Sequence, residues 1–381
     1  MKIGFDGKRA VQNFTGLGNY SQYVLKALQT YYPNEKYTLY APKKKENNKL
    51  TPILEKENII LQTPRSTWWK KLCSIWRIWG ITSQLQEDDV NIFHGLSNEL
   101  PLNIHRYNKP KTVVTIHDLI FRRLPQCYPV IDRMIYNYKF RYACKKADRI
   151  IAISNCTKRD IVKDYGISPD KIEVIYQGCD PAFTIAVTET KKAEVRNKYH
   201  LPEKYILFVG SIEERKNAFL IAQALPQLPE NLHLILVGKK TPYAEKIIQI
   251  KDPRIHMLNN VPFADLPTIY QMASVFVYPS FYEGFGIPIL EALNSRIPVI
   301  AATGSCLEEA GGPHSLYVHP NNVQDLVQAI HKALEPKNRQ FMIEKGLEWA
   351  AMFTEEQMAH QTMKLYREIT THHTTANSTN E

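Results

Sequence analysis

Glu283 and Glu291 are separated by seven residues, and between them runs Gly284-Phe285-Gly286-Ile287-Pro288. An ionised carboxylate only accepts hydrogen bonds, so two of them suit the paired hydroxyls of a sugar or ribose. The glycines let backbone approach a ligand closely. Pro288 suits the first position of a helix, because its φ is preset and its missing N–H is not needed there. A helix start offers unpaired N–H groups and the positive end of a dipole, which favour phosphate. Upstream, Arg215 and Lys216 follow Gly210 across a short loop. Arginine presents a planar fork to phosphate oxygens and lysine a mobile point charge. Gly16 and Gly18 form a second glycine pair, read as another phosphate-facing loop. It falls short of the full dinucleotide fingerprint, and a tight turn explains it equally well. His117 and Asp118 close an apolar run that begins at Thr112, and His94 closes a weaker one. Together these residue types point to a ligand that carries both phosphate and paired hydroxyls.

The elements that must position these groups read as alternating strands and helices. Val275-Phe276-Val277-Tyr278 before the glutamate loop and Tyr205-Ile206-Leu207-Phe208-Val209 before Arg215 are continuous apolar runs, the pattern of strands buried on both faces. Met1–Asp6, Asn91–Gly95, Arg149–Ser154, Leu232–Val237 and Ile297–Ala302 add further strands. Ser154 is placed to cap a helix that starts near Cys156. In open parallel sheets, ligands bind beyond the carboxyl ends of strands, which is where His117, Asp118, Arg215, Lys216 and Glu283 fall. Two successive strand–helix sets predict two α/β domains, over residues 1–185 and 186–355, with 181–203 as a linker. A last helix covers 356–370, and 371–381 reads as a disordered tail.

At 381 residues with 44% hydrophobic content, the chain can bury two cores. The six cysteines are scattered without a C-x-x-C pair, which argues against a disulfide framework or zinc site. No basic-then-apolar leader and no membrane-length apolar run is visible, so a cytoplasmic setting is expected. The net charge of +10 attracts anions: a diphosphate ligand, an anionic membrane surface or nucleic acid. The basic residues are dispersed and no nucleic-acid fold signature occurs, so nucleic acid is not expected as a partner. Residues 41–51 read as a basic surface loop. Trp68–Trp79 reads as one helix, with Trp69, Leu72, Trp76 and Trp79 on one face and Lys70, Lys71, Ser74 and Arg77 mostly off it. Such a helix either packs its tryptophans into the first domain or rests on an anionic bilayer at the inner face of the plasma membrane.

The glutamate pair around E-G-F-G-x-P, the R-K-N after the strand that ends at Gly210, and Thr115-Ile116-His117-Asp118-Leu119 resemble glycosyltransferase family 4. The resemblance runs to about residue 370 and is similar in look to bacterial mannosyltransferases of polysaccharide assembly. It implies the GT-B fold, two Rossmann-like α/β domains with parallel sheets facing across a cleft. It also implies retaining transfer of a hexosyl group from a nucleotide sugar to a saccharide or lipid-linked saccharide. Mannose from GDP-mannose is expected, and UDP-linked glucose, galactose or GlcNAc is the alternative donor. A sugar-nucleotide epimerase, which shares the two-domain architecture, and a catalytically idle sugar-nucleotide-binding subunit would use the same kind of site.

Under that resemblance Lys216 and Arg215 hold the diphosphate, and Gly16 and Gly18 face it. Glu291 takes the ribose hydroxyls, while Glu283 orients the sugar with Gly284, Phe285, Gly286 and Ile287. His117 supports charge at the sugar beside Asp118, and backbone near Val261 meets the base. The family often carries arginine directly after the glycine, where this chain has Ser211. No D-x-D occurs in the sequence. A metal-independent reaction is therefore expected, with fixed cations stabilising the leaving diphosphate and no cofactor beyond the nucleotide sugar.

Overall fold

A computed structural model of the chain describes residues 1–13, 16–45, 50–107 and 109–371. Residues 372–381 of the expected tail and part of the basic loop 41–51 lie outside the described residues, and Thr371 ends a helix. The chain divides into two compact units: Met1–Leu119 with Pro129–Gln177 and Thr354 onward, and Ile120–Tyr128 with Gly178–Phe353.

The first unit is built on seven strands: β1 (Lys2–Asp6), β2 (Lys36–Tyr40), β3 (Ile59–Gln62), β4 (Ile92–Gly95), β5 (Lys111–Ile116), β6 (Arg149–Ala152) and β7 (Ile172–Val174). They pair in the order β3-β2-β1-β4-β5-β6-β7, with every ladder parallel. Phe5 aligns with Leu39 on one side and His94 on the other, so the apolar rows of three strands register into one core. The helices Gly16–Tyr31 and Glu355–Thr371 cover it. Val24, Leu25 and Leu28 from one, and Met358, Met363 and Tyr366 from the other, join Ile3 and Phe5. Lys26 pairs with Glu355 at 2.9 Å on the rim.

The second unit contains β8 (Lys204–Val209), β9 (Leu232–Val237), β10 (Ile255–Leu258), β11 (Val275–Tyr278), β12 (Val299–Ala302) and β13 (Leu316–Val318). Their order is β10-β9-β8-β11-β12-β13, again all parallel. Tyr205 to Phe208 and Val275 to Tyr278 are buried at every position, as strands covered on both faces require. Each unit is thus a doubly wound, Rossmann-like α/β sheet. Strand order reverses beside β1 in the first and beside β8 in the second, which makes the β1/β4 and β8/β11 junctions the natural ligand crevices.

Several local expectations change. Residues 181–203 are not a plain linker: they hold a short turn, Pro181–Phe183, and a helix, Glu189–Tyr199, whose Thr188 hydroxyl caps the Lys191 N–H at 3.3 Å. The Trp68–Trp79 stretch is not one helix. It breaks into Thr67–Lys71, Cys73–Ile75 and a π-helical turn, Trp76–Gly80. Across these breaks Trp76 is buried in the core, while Trp68 and Trp79 stand at 67% and 43% exposure. Arg77 is not on a solvated basic face: it is buried and ion-paired with Asp6 and Glu99. Ser154 does cap its helix, Asn155–Tyr165, accepting from the Thr157 N–H at 3.0 Å.

Met363→Ala empties a buried site in the terminal helix and should cost about 2–5 kcal/mol. Calorimetry should show the transition of the first unit falling while that of the second stays in place.

Candidate active site

The loops after β8 and β11 leave neighbouring strands at the point of reversal, and their charged groups meet. Lys216 Nζ lies 2.9 Å from Glu283 Oε1, and Arg215 Nη1 lies 2.7 Å from Glu283 Oε2. The Tyr278 hydroxyl donates to Glu283 Oε1 at 3.1 Å and accepts from Lys216 Nζ at 2.5 Å. Arg215 also donates to the Tyr282 carbonyl at 2.7 Å and to Glu213 Oε1 at 2.8 Å. The side chains of Glu283, Arg215 and Lys216 are only 12–14% exposed.

Burial by itself would push the Glu283 carboxyl up, but the Lys216 and Arg215 charges outweigh it and hold the group down at about 2. Burial works against the Lys216 and Arg215 charges as well, and Glu283 overrides it, so both sit above their ordinary values. Tyr278 is pushed up to about 12 by burial and then by Glu283. At neutral pH the cluster therefore holds a carboxylate, two cations and a protonated phenol.

Backbone geometry fixes these groups. Asn217 adopts φ 55°, a left-handed conformation that asparagine tolerates. Its amide donates to the carbonyls of Pro279 at 3.3 Å and Pro320 at 2.7 Å, tying the loop after β8 to those after β11 and β13. Gly286 has φ 133°, and a Cβ there would stand 3.2 Å from both Ala310 Cβ and Leu307 Cδ2. The Cys306 thiol lies 3.0 Å from the Glu283 carbonyl and 2.9 Å from that of Phe285, bracing the loop. Gly284, Phe285 and Gly286 are buried, and Ile287 is half-buried.

The helix that follows runs Ile287–Asn294, so Pro288 is its second residue and not its first. Glu291 lies one turn in, where Oε2 accepts from the buried Tyr270 hydroxyl at 2.8 Å. The neighbouring Cys179 thiol is pushed up to about 12 by burial and then by the charge of Glu291. The two glutamates thus meet different residues: Glu283 meets Lys216, Arg215 and Tyr278, and Glu291 meets Tyr270. Val261 is half-buried in the loop after β10, at the same carboxyl edge of the sheet.

In the first unit, His117 directly follows β5. Its Nε2 is 2.8 Å from the Leu96 carbonyl and so carries the proton, while its backbone N–H donates to Asn98 Oδ1 at 2.7 Å. Burial lowers its pKa to about 4, against a raising contribution from Leu96 and with a further lowering by Arg9. The ring is neutral at pH 7, with Nδ1 as an acceptor. Asp118 beside it is half-buried. Tyr20 meets the His117 ring edge-on at 4.6 Å.

Tyr20 belongs to the helix Gly16–Tyr31, and here the structure corrects the sequence reading. Gly16 and Gly18 open that helix and do not form a loop ahead of it. Gly18 is needed for packing, because a Cβ would fall 1.8 Å from the Asn13 carbonyl oxygen. His94 is a core residue, bonded to the Tyr366 hydroxyl at 2.6 Å and to Thr115 Oγ1 at 2.8 Å.

Sequence reasoning missed Tyr278, Asn217, Cys306 and Tyr270. A tyrosine closing an apolar strand is a signal for Tyr278, since its hydroxyl needs a partner when buried. Asn217 enters the sequence reading only within R-K-N, and nothing local signals its bonds or those of Cys306 and Tyr270, because their partners come from distant loops.

Residues 36–183 match the family described as Glycosyltransferase Family 4, and residues 190–349 match Glycosyl transferases group 1. The O-antigen chain mannosyltransferase B of Escherichia coli is 31% identical over 288 residues, spanning 72% of this chain and 74% of that one. A glycosyltransferase structure from Rickettsia africae ESF-5 superposes with a TM-score of 0.75 at 19% identity, over 97% of this chain and 98% of that one. Anabaena HepE in complex with UDP and glucose gives 0.74 at 16%, over 97% and 100%. Two Rossmann-like units with these matches define a glycosyltransferase of the GT-B fold. Within that class, the chain belongs to glycosyltransferase family 4. No helix among the described residues is long and apolar enough to cross a membrane.

Glu283 has a folded pKa below its ordinary 4.5, so its stabilising contribution is full above pH 4.5 and is lost as pH falls towards about 2. Glu283→Gln strands two buried cations and should cost about 3–5 kcal/mol at pH 7. Melting curves between pH 5 and 2, a window set by that shift, should fall less steeply for the variant than for the parent.

Proposed function

We propose that this enzyme transfers mannose from GDP-mannose, with retention and without a metal ion, to a saccharide or lipid-linked saccharide in surface polysaccharide assembly. The observation that carries the reading is the meeting of Arg215, Lys216 and Glu283 at the β8/β11 junction, beside a buried glycine loop and a helix start. Cations, loop N–H groups and a helix dipole are the means by which a leaving diphosphate is stabilised by fixed groups. The mannose assignment draws support from the O-antigen mannosyltransferase relative.

In this reading Lys216 and Arg215 bind the diphosphate, and Glu291 receives the ribose hydroxyls. Backbone near Val261 receives the base. Glu283 and the N–H groups of Phe285 and Gly286 orient the sugar, with Gly284 and Ile287 shaping the loop. By the family resemblance, His117 and Asp118 serve the transferred sugar, and the helix opened by Gly16 and Gly18 offers its N–H groups to phosphate. The bond from the anomeric carbon to the phosphate oxygen breaks. The acceptor oxygen bonds the same face, and its proton passes to the departing phosphate.

GDP-mannose, UDP-glucose, UDP-GlcNAc and UDP-galactose should be compared by thermal shift with EDTA present, and GDP-mannose should give the largest stabilisation. A shift with one UDP-sugar alone would reassign the donor, and a shift that requires added divalent metal would overturn the metal-free reading. Lys216→Ala should lower kcat/KM by about 100-fold or more, whereas near-normal transfer would remove Lys216 from the site.

A further inference from the structure

The helix Val130–Lys146 in the first unit turns its apolar residues the wrong way for a core. Val130, Ile131, Met134, Ile135 and Tyr138 are 45–71% exposed. At 100° per residue they fall on one stripe, opposite the buried face of Phe140, Ala143 and Cys144. Single exposed apolar residues need no explanation, but five on one stripe do. Further along the helix the same face becomes cationic: Arg141 and Lys145 continue the stripe, Lys146 borders it, and all three are exposed. Met134, Asn137, Tyr138, Arg141, Tyr142 and Lys145 line a hollow of about 470 Å³ where the apolar and cationic halves join.

A second apolar group adjoins. The Leu102 carbonyl accepts from the Tyr142 hydroxyl at 2.5 Å, and the Leu102 N–H donates to the Ile78 carbonyl at 2.9 Å. The helix and the π-helical turn that carries exposed Trp79 therefore flank one short stretch of chain.

We infer that the outward face of Val130–Lys146 docks on an anionic phospholipid bilayer, its apolar half entering the interface and Arg141, Lys145 and Lys146 meeting lipid phosphate. A basic helix with large apolar side chains on one face lies in that plane. The charge decides between occupants. The helix carries Arg133, Lys139, Arg141, Lys145 and Lys146 against Asp132 alone. A second copy of the same face would bring like charges together, whereas an anionic surface complements them. The inference stands apart from the donor assignment, since lipid binding and donor binding are read separately.

The test uses the full chain in flotation with phosphatidylglycerol-containing and pure phosphatidylcholine vesicles, at low and high salt. Binding to the anionic vesicles that weakens with salt is expected. Ile131→Ser/Met134→Ser and Arg141→Glu/Lys145→Glu should each lower the partition coefficient by about tenfold or more. Both pairs are exposed, so melting temperatures without ligand should match the parent and report an intact fold. Phe341→Ser, an exposed apolar control in the second unit, should bind vesicles normally. Three results would overturn the proposal. One is no binding to anionic vesicles at low salt. The second is parent-like binding by both helix variants, including the case where only Trp68→Ser/Trp79→Ser abolishes it. The third is a change of oligomeric state in the helix variants without a change in vesicle binding, which would make the face a self-association surface.

Discussion

One buried carboxylate held between two cations governs the second unit. Removing Glu283, Arg215 and Lys216 from water is expensive, and their mutual attraction repays it only with good geometry and satisfied hydrogen bonds. The Tyr278 hydroxyl, the Tyr282 carbonyl and Glu213 supply those bonds. The geometry comes from loops that follow different strands. Asn217 ties three of them together, Gly286 makes a turn that a side chain would obstruct, and Cys306 braces the carbonyls of Glu283 and Phe285. The pairing also has a chemical meaning. Glu283 occupies donors that suit a diphosphate, so an anionic ligand entering this corner competes with an anion of the protein itself. A carboxylate released in that exchange becomes an acceptor for hydroxyl groups.

The first unit is organised by a neutral polar chain. Tyr366 meets His94, His94 meets Thr115, Thr115 meets Tyr20 at 3.2 Å, and the Tyr20 ring meets His117. Every link is buried, and burial keeps both histidines below their ordinary range. A buried network of this kind rigidifies when every member is satisfied. It connects the terminal helix to the strand end that carries His117.

The fold is legible in the sequence because both sheets are parallel and covered on both faces, which leaves unbroken apolar runs such as Tyr205–Phe208 and Val275–Tyr278. The placement of Arg215, Lys216 and Glu283 beyond strand ends follows from the same pattern. What bonds them together does not, since Tyr278, Asn217 and Cys306 act across long sequence separations. The Trp68–Trp79 stretch misleads for another reason. A constant period of 3.6 residues fails there, because the helix breaks at Leu72 and then passes into a π-helical turn from Trp76. The glycine pair reads as a loop because Gly18 answers a steric demand from the Asn13 carbonyl, which has no counterpart in local propensity.

The return of Glu355–Thr371 onto the first sheet bears on the order of synthesis. The core around Ile3, Phe5 and Leu28 lacks Met358, Met363 and Tyr366 until nearly all of the described chain has emerged. The strands of the second unit and the segments around them lie within 120–128 and 178–353 and are complete sooner. Domains usually form in the order they leave the ribosome. Here the part made first has all its strands but lacks one covering helix until the part made last arrives, and the uncovered apolar face is the surface that needs protection during translation.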